Sequence, residues 1–238
     1  MFSGRLTGII AIAVTAIAIG GGAYGIVSAT AGNSSGTSTT ARSPSATAGR
    51  FTPGGGGSNA RSGPAAGGAV GTVASVSTSS FTLSTPAGQN VVVNEASSTK
   101  YTTGTGSTST RAIRTGEAVL VLGTTNGTTI TATQVILQPA GGGSTTSSAA
   151  AVVPFQRGAP STSKQVGHIL ANYTQGSGTI VGGATANKAT EAALAAYPGG
   201  IIDRVVRLSN GEYEVHNIGV NWPHHIFVDK NFQVVGAD

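Results

Sequence analysis

The sequence predicts a multi-domain chain: an N-terminal transmembrane helix, a small all-β barrel, and a C-terminal α+β domain with one helix packed on an antiparallel sheet. Three observations carry this reading. Residues 6–27 contain no charge and are dominated by Ile, Ala, Val and Gly. Two stretches, 32–68 and 139–163, are rich in Gly, Ser, Thr, Ala and Pro and show neither a period of 2 nor one of 3.6. Between and after them lie two segments with hydrophobic periodicity of different kinds. Gly, Ser and Thr make up 94 of the 238 residues, and only 9% are charged. Such a chain cannot bury enough apolar area for one large compact enzyme, because ordering each residue costs roughly 1–2 kcal/mol.

The first segment, 1–31, reads as a membrane anchor or signal segment. As a helix, residues 6–27 span about 33 Å, which matches a bilayer core of roughly 30 Å. Arg5 and the amino terminus place the positive end in the cytoplasm. The expectation is a single-pass plasma-membrane protein, contacting the bilayer through 6–27, with extracytoplasmic C-terminal domains. The alternative is secretion after cleavage following Ala31, in the A-x-A pattern Ala29-Thr30-Ala31. Gly20, Gly22 and Gly25 match a dinucleotide-binding spacing, but no strand precedes them, so no nucleotide is expected there. Residues 32–68 and 139–163 then read as flexible linkers.

Residues 69–138 read as short strands. Val70 to Val76 and Phe81-Thr82-Leu83 come first, and Pro86 to Gln89 turns the chain into Val91-Val92-Val93. Glu117 to Leu122 is β-rich, and Asn126-Gly127 marks a hairpin into Ile130 to Leu137. Five or six strands in this length suggest a small barrel. Gly71-Thr72-Val73, Phe81-Thr82-Leu83 and Arg114 to Gly123 resemble a bacterial family of extracytoplasmic domains of unknown function, thought to form a small OB-like barrel. With only Phe81 and Tyr101 as aromatics, a base- or sugar-stacking surface is not supported, and a spacer role is expected.

Residues 164–238 hold all four His, six of the twelve aromatics and eleven of the 21 charged residues. Thr185 is placed to cap a helix running to Tyr197, which Pro198-Gly199-Gly200 stops. Strand patterns follow at 201–208, 212–220, 224–229 and 232–235. Ala189 to Gly199, Asp203 to Leu208, Gly211 to Val215 and Ile226 to Asp229 resemble a PepSY-type domain. That resemblance implies a binding or inhibitory module without catalysis, found in metallopeptidase propeptides and envelope proteins. The chain departs from the pattern by inserting Asn221-Trp222-Pro223-His224-His225 and by lacking an H-E-x-x-H peptidase motif.

The inserted hairpin tip is the sharpest local feature. One reading is a recognition tip, with Trp222 as anchor flanked by Pro223, His224 and His225. Another is a metal site built from His216, His224 or His225 with Asp229; the chain has no Cys, so only His, Asp and Glu can ligate. Adjacent residues of a regular strand face opposite ways, so His224 and His225 can share a metal only at an irregular tip or between two chains. An aromatic–Pro bond is also a candidate cis bond. The third reading puts Trp222 and Pro223 in the core and the His at the surface.

No nucleophile elbow, phosphate loop or paired-carboxylate context is present, and Glu212 and Glu214 read as solvent-facing. The expectation is therefore no enzyme, no catalytic residue and no cofactor. The net charge of +5 is carried by the linkers, since 164–238 has five basic and six acidic residues, so no nucleic acid is expected as partner. The functional expectation is an extracytoplasmic module that binds an envelope protein, such as a peptidase. Its alternative is a metal- or ligand-binding envelope sensor using the His-rich tip.

Overall fold

The computed structural model describes residues 64–138, 155–158 and 164–238. The expected membrane segment, the first linker and most of the second lie outside the described residues. Among the described residues no helix is long and apolar enough to cross a membrane.

Strand accounts for 53% of the described residues, and there is one α-helix. The barrel is built from β1 (Ala65–Val76), β2 (Ser80–Ser84), β3 (Asn90–Thr103), β5 (Ala118–Asn126) and β6 (Thr129–Leu137), with the two-residue β4 (Gly106–Ser107) folded against β3. Strands run in the order β2-β3-β6-β5-β1, and pairing of β1 with β2 closes the circuit. All neighbours are antiparallel except β3 and β6. Alternate residues point inward: Phe81 and Leu83 from β2, Val91 and Val93 from β3, Val119 and Val121 from β5, and Ile130 and Ala132 from β6 form one buried core, which Val135 joins after a register shift in β6. Asn126-Gly127 turns β5 into β6 as expected, with Gly127 at φ 57°, a conformation that favours glycine.

The uninterrupted run Val119-Leu120-Val121-Leu122 has a second consequence. A strand facing solvent on one side alternates, whereas one buried on both sides is apolar throughout. Val119 and Val121 fill the barrel, while Leu120 and Leu122 belong to a different core shared with the C-terminal half. That core lies under α1 (Gly183–Ala196), whose buried stripe Ala186, Ala189, Ala193 and Leu194 packs on β1, β5 and the distal strands. Small side chains bring the helix close. At Gly68 of β1, an added Cβ would collide with the Val121 carbonyl and crowd Leu122 and the helix residue Thr190.

The distal strands are β8 (Val166–Gly167), β9 (Thr179–Val181), β10 (Ile201–Arg207), β11 (Tyr213–Ile218), β12 (Val220–Trp222), β13 (His225–Val228) and β14 (Val234–Ala237). They continue the barrel sheet through the pairing of Gly68 with Ile202, in the order β1-β10-β11-β13-β14-β8, with β9 on β10. Residues Gln156 and Arg157, which the sequence places in the second linker, form β7 on β12. Arg157 also hydrogen-bonds the Gly88 carbonyl at the β2–β3 turn.

This overturns the expected fold class. The molecule is mostly β, with a closed five-stranded barrel and outer strands, instead of a barrel followed by a PepSY-like α+β domain. The physical reason is that the helix and distal strands bury their apolar face partly on the outside of the barrel. Ile201 enters the barrel core while its neighbour Ile202 enters the helix core, so one strand serves both. The helix itself starts at Gly183 with Gly182 at the N-cap, leaving Thr185 inside the first turn.

Candidate metal centre

Three neighbouring antiparallel strands, β10, β11 and β13, carry the polar residues that interrupt an otherwise apolar sheet. Their register aligns His216 of β11 with Arg204 of β10 on one side and with His225 of β13 on the other. Pairing slips between Ile202 and Arg204, leaving Asp203 as an extra residue in β10. Such a bulge bends the strand and re-aims a side chain. Here it brings the Asp203 carboxylate to both the His216 ring and the Arg204 guanidinium, which regular alternation would separate.

His224 lies in the bend between β12 and β13, just after the cis Trp222–Pro223 bond, so strand alternation does not govern it. Asn217 holds this tip: its amide donates to the carbonyls of Gly199 (3.2 Å) and Pro223 (3.0 Å). The backbone N–H groups of His224 and His225 both donate to the Asp238 carbonyl, at 2.7 and 2.9 Å. As a result His224 and His225 face the same cluster. One ring nitrogen from each of His216, His224 and His225 can be chosen so that all three lie within 4.8 Å of one another.

Each imidazole is oriented by an acceptor at Nδ1. His216 Nδ1 is 2.6 Å from Asp203 Oδ1, His224 Nδ1 is 2.7 Å from the Asn217 carbonyl, and His225 Nδ1 is 2.7 Å from Glu214 Oε1. Carbonyls and carboxylates only accept, so in each ring Nδ1–H donates and the Nε2 lone pair is free for another bond. The Nε2 atoms of His216 and His224 nevertheless face each other at 2.9 Å. Two lone pairs do not approach so closely unless a cation, either a proton or a metal ion, stands between them. Ligand nitrogens about 2.0–2.1 Å from a tetrahedral zinc lie about 3.3 Å apart. The observed gap therefore needs only a small opening to admit an ion.

The electrostatics favour a neutral, ligand-ready ring at His224. Burial, then the neighbouring charges of His216 and His225, pull the His224 pKa down to about 4. Burial alone would raise the Glu214 carboxyl, but its hydrogen bond and charge contact with His225, aided by His216 and Arg204, outweigh this and lower it. Glu214 is thus an anion at 1% exposure. The Tyr173 hydroxyl lies 3.2 Å from His225 Nδ1, and burial together with Glu214 and Asp238 raises its pKa, so it remains a phenol. Tyr173 also lines a surface cavity of about 520 Å³, shared with Leu170, Ser177, Val181, Arg207 and Leu208.

The His224 shift predicts a pH effect on stability in the metal-free protein. Between its unfolded pKa of 6.5 and about 4, the unfolded chain binds a proton that the native ring refuses. Stability is therefore retained above pH 6.5 and lost on acidification toward 4, by about 1–2 kcal/mol after allowing for solvent screening of this partly exposed ring. Urea unfolding at pH 7 and pH 4.5 should show a larger acid loss in the wild type than in His224→Ala.

Three sequence-predicted ligands are thus brought together, and the irregular tip supplies the exception to strand alternation that they require. The fourth, Asp229, is elsewhere: its carboxylate accepts the backbone N–H groups of Asn231 and Gln233 and shapes the β13–β14 turn. Trp222 is no exposed anchor. It is 2% exposed, packs edge-on against Tyr197, and donates its indole N–H to the Lys164 carbonyl at 2.8 Å. Pro223 is buried beside it. His168 lies apart, 3.8 Å from Glu212. Glu214, expected to face solvent, is buried. Sequence reasoning missed Asp203, Asn217, Glu214 and Tyr173 as supports. The spacing Glu214-Val215-His216 was a usable signal, because residues two apart on a strand share a face. The chain matches no family model, and neither a curated protein nor a solved structure shows significant similarity to it.

Proposed function

We propose that this is a metal-binding protein, exported by its apolar N-terminal segment, that holds one divalent transition-metal ion on His216, His224 and His225. The carrying observation is the convergence of three histidines whose Nδ1–H groups are each committed to a fixed acceptor. Outer contacts of this kind fix the tautomer and aim of metal-ligating imidazoles. Imidazole ligands suit zinc, copper, nickel and cobalt over magnesium or calcium. Export rests on the uncharged run 6–27 following Arg5. The capture of an envelope partner by a Trp222 anchor is not carried forward, because that side chain is enclosed in the core.

Titration of the full-length chain with zinc or cobalt(II) tests the reading. One ion per chain is expected, with affinity reduced at least about 100-fold in His224→Ala and unchanged in His168→Ala. His224 is the least buried of the three ligands, so its replacement is the mildest for folding. Failure of the wild type to bind stoichiometrically, or equal binding by His224→Ala, would overturn the assignment.

A further inference from the structure

We propose that the metal held by His216, His224 and His225 keeps one coordination position open for a water molecule or a small exogenous anion. This rests on the metal-binding reading above and concerns how the site is completed. Sites with three protein ligands and an exchangeable fourth are the reactive kind, whereas structural sites are closed by four protein ligands.

The acidic residues around the three rings are already engaged; Asp238 takes the His224 and His225 N–H groups on its main-chain oxygen and the Gln165 amide on its side-chain carboxylate. Asp203 accepts from His216 Nδ1 and from Arg204, and Glu214 accepts from His225 Nδ1. A carboxylate bonded to the back of a ligating ring stands one layer outside the metal. Asp229 is tied to its turn, and His168 is beside Glu212. The Tyr173 phenol approaches Nδ1 of His225, the nitrogen turned toward Glu214. Solvent, by contrast, reaches the edge of the cluster. The Asp203 side chain is 22% exposed, and His224 is only partly buried, whereas His216 and His225 are closed off. Three neutral imidazoles leave the full double charge on the ion, so a small anion entering from the Asp203 and His224 side is attracted to the remaining position.

Cobalt(II) reports this directly, because its visible absorption depends on the number and type of ligands. Azide titrated into the cobalt-loaded full-length chain is expected to shift and intensify those bands, saturating at one azide per cobalt. Asp203→Ala is expected to bind cobalt more weakly, because His216 loses its Nδ1 acceptor, but once loaded to keep an azide response saturating at one azide per cobalt. Bands that stay constant in excess azide would mean a closed site and overturn the inference while leaving metal binding intact. A response seen only in Asp203→Ala would show that this carboxylate swings in as the fourth ligand, which also overturns it. Absence of cobalt bands in the wild type would remove the metal assignment itself.

Discussion

Trp222→Ala is expected to destabilise the folded unit by about 3–5 kcal/mol, the cost of emptying the space of a large buried aromatic. Trp222 is the largest fully buried side chain among the described residues, and it joins three parts of the molecule. Its ring meets Tyr197 at the end of α1 with centroids 5.5 Å apart, its indole N–H closes on Lys164, and its backbone pairs with Gln156 of β7. Removing it strips an aromatic contact worth about 0.5–1.5 kcal/mol beyond area and leaves the Lys164 carbonyl without its donor. Chemical unfolding monitored by far-UV circular dichroism measures the loss. A destabilisation below about 1 kcal/mol would mean that the indole is not a core element. Trp222→Phe should recover much of the packing but not the hydrogen bond, and so fall between the two.

How much of this was legible in the sequence differs by element. The barrel strands were readable because their inward residues alternate or form short apolar runs, and the Asn126-Gly127 turn fixes one hairpin locally. The helix was readable from its Ala stripe and the Pro198-Gly199-Gly200 stop. The joining of the two halves was not. It depends on Gly68 meeting Ile202 across more than 130 positions and on which face of β5 Leu120 and Leu122 occupy. An apolar run states that both faces are buried, but it does not state by what. The site shows the same division. Ligand types and their clustering near the tip were visible, yet the supports were not, because a bulge at Asp203 and a bend at His224 change which side chains share a face. The uniqueness of Trp222 drew attention to the correct place but left open whether it was an exposed anchor or core filling; a small sheet assembly uses its single large aromatic as filling.

The second large effect concerns Glu214, whose carboxylate sits at 1% exposure among His216, His225 and Arg204. Glu214→Ala should cost about 3–5 kcal/mol, because it leaves the buried Arg204 charge less compensated and strands the His225 Nδ1–H without its acceptor. Arg204 keeps Asp203 at 3.2 Å, which places the expectation at the lower end of that range. Glu214→Gln separates charge from hydrogen bonding. Its amide oxygen can still accept from Nδ1, so stability should suffer less than in Glu214→Ala. Metal affinity should still fall by about 10–100-fold, as replacing a carboxylate behind a ligating histidine typically does. Paired measurements, urea unfolding of the metal-free chain and zinc titration of the same variants, distinguish the two roles. If Glu214→Gln weakened folding as much as Glu214→Ala and left zinc affinity unchanged, Glu214 would be only a counter-ion for Arg204. The ordering expected here, a modest stability loss with a clear affinity loss, follows from a carboxylate that accepts from a ring nitrogen at 2.7 Å.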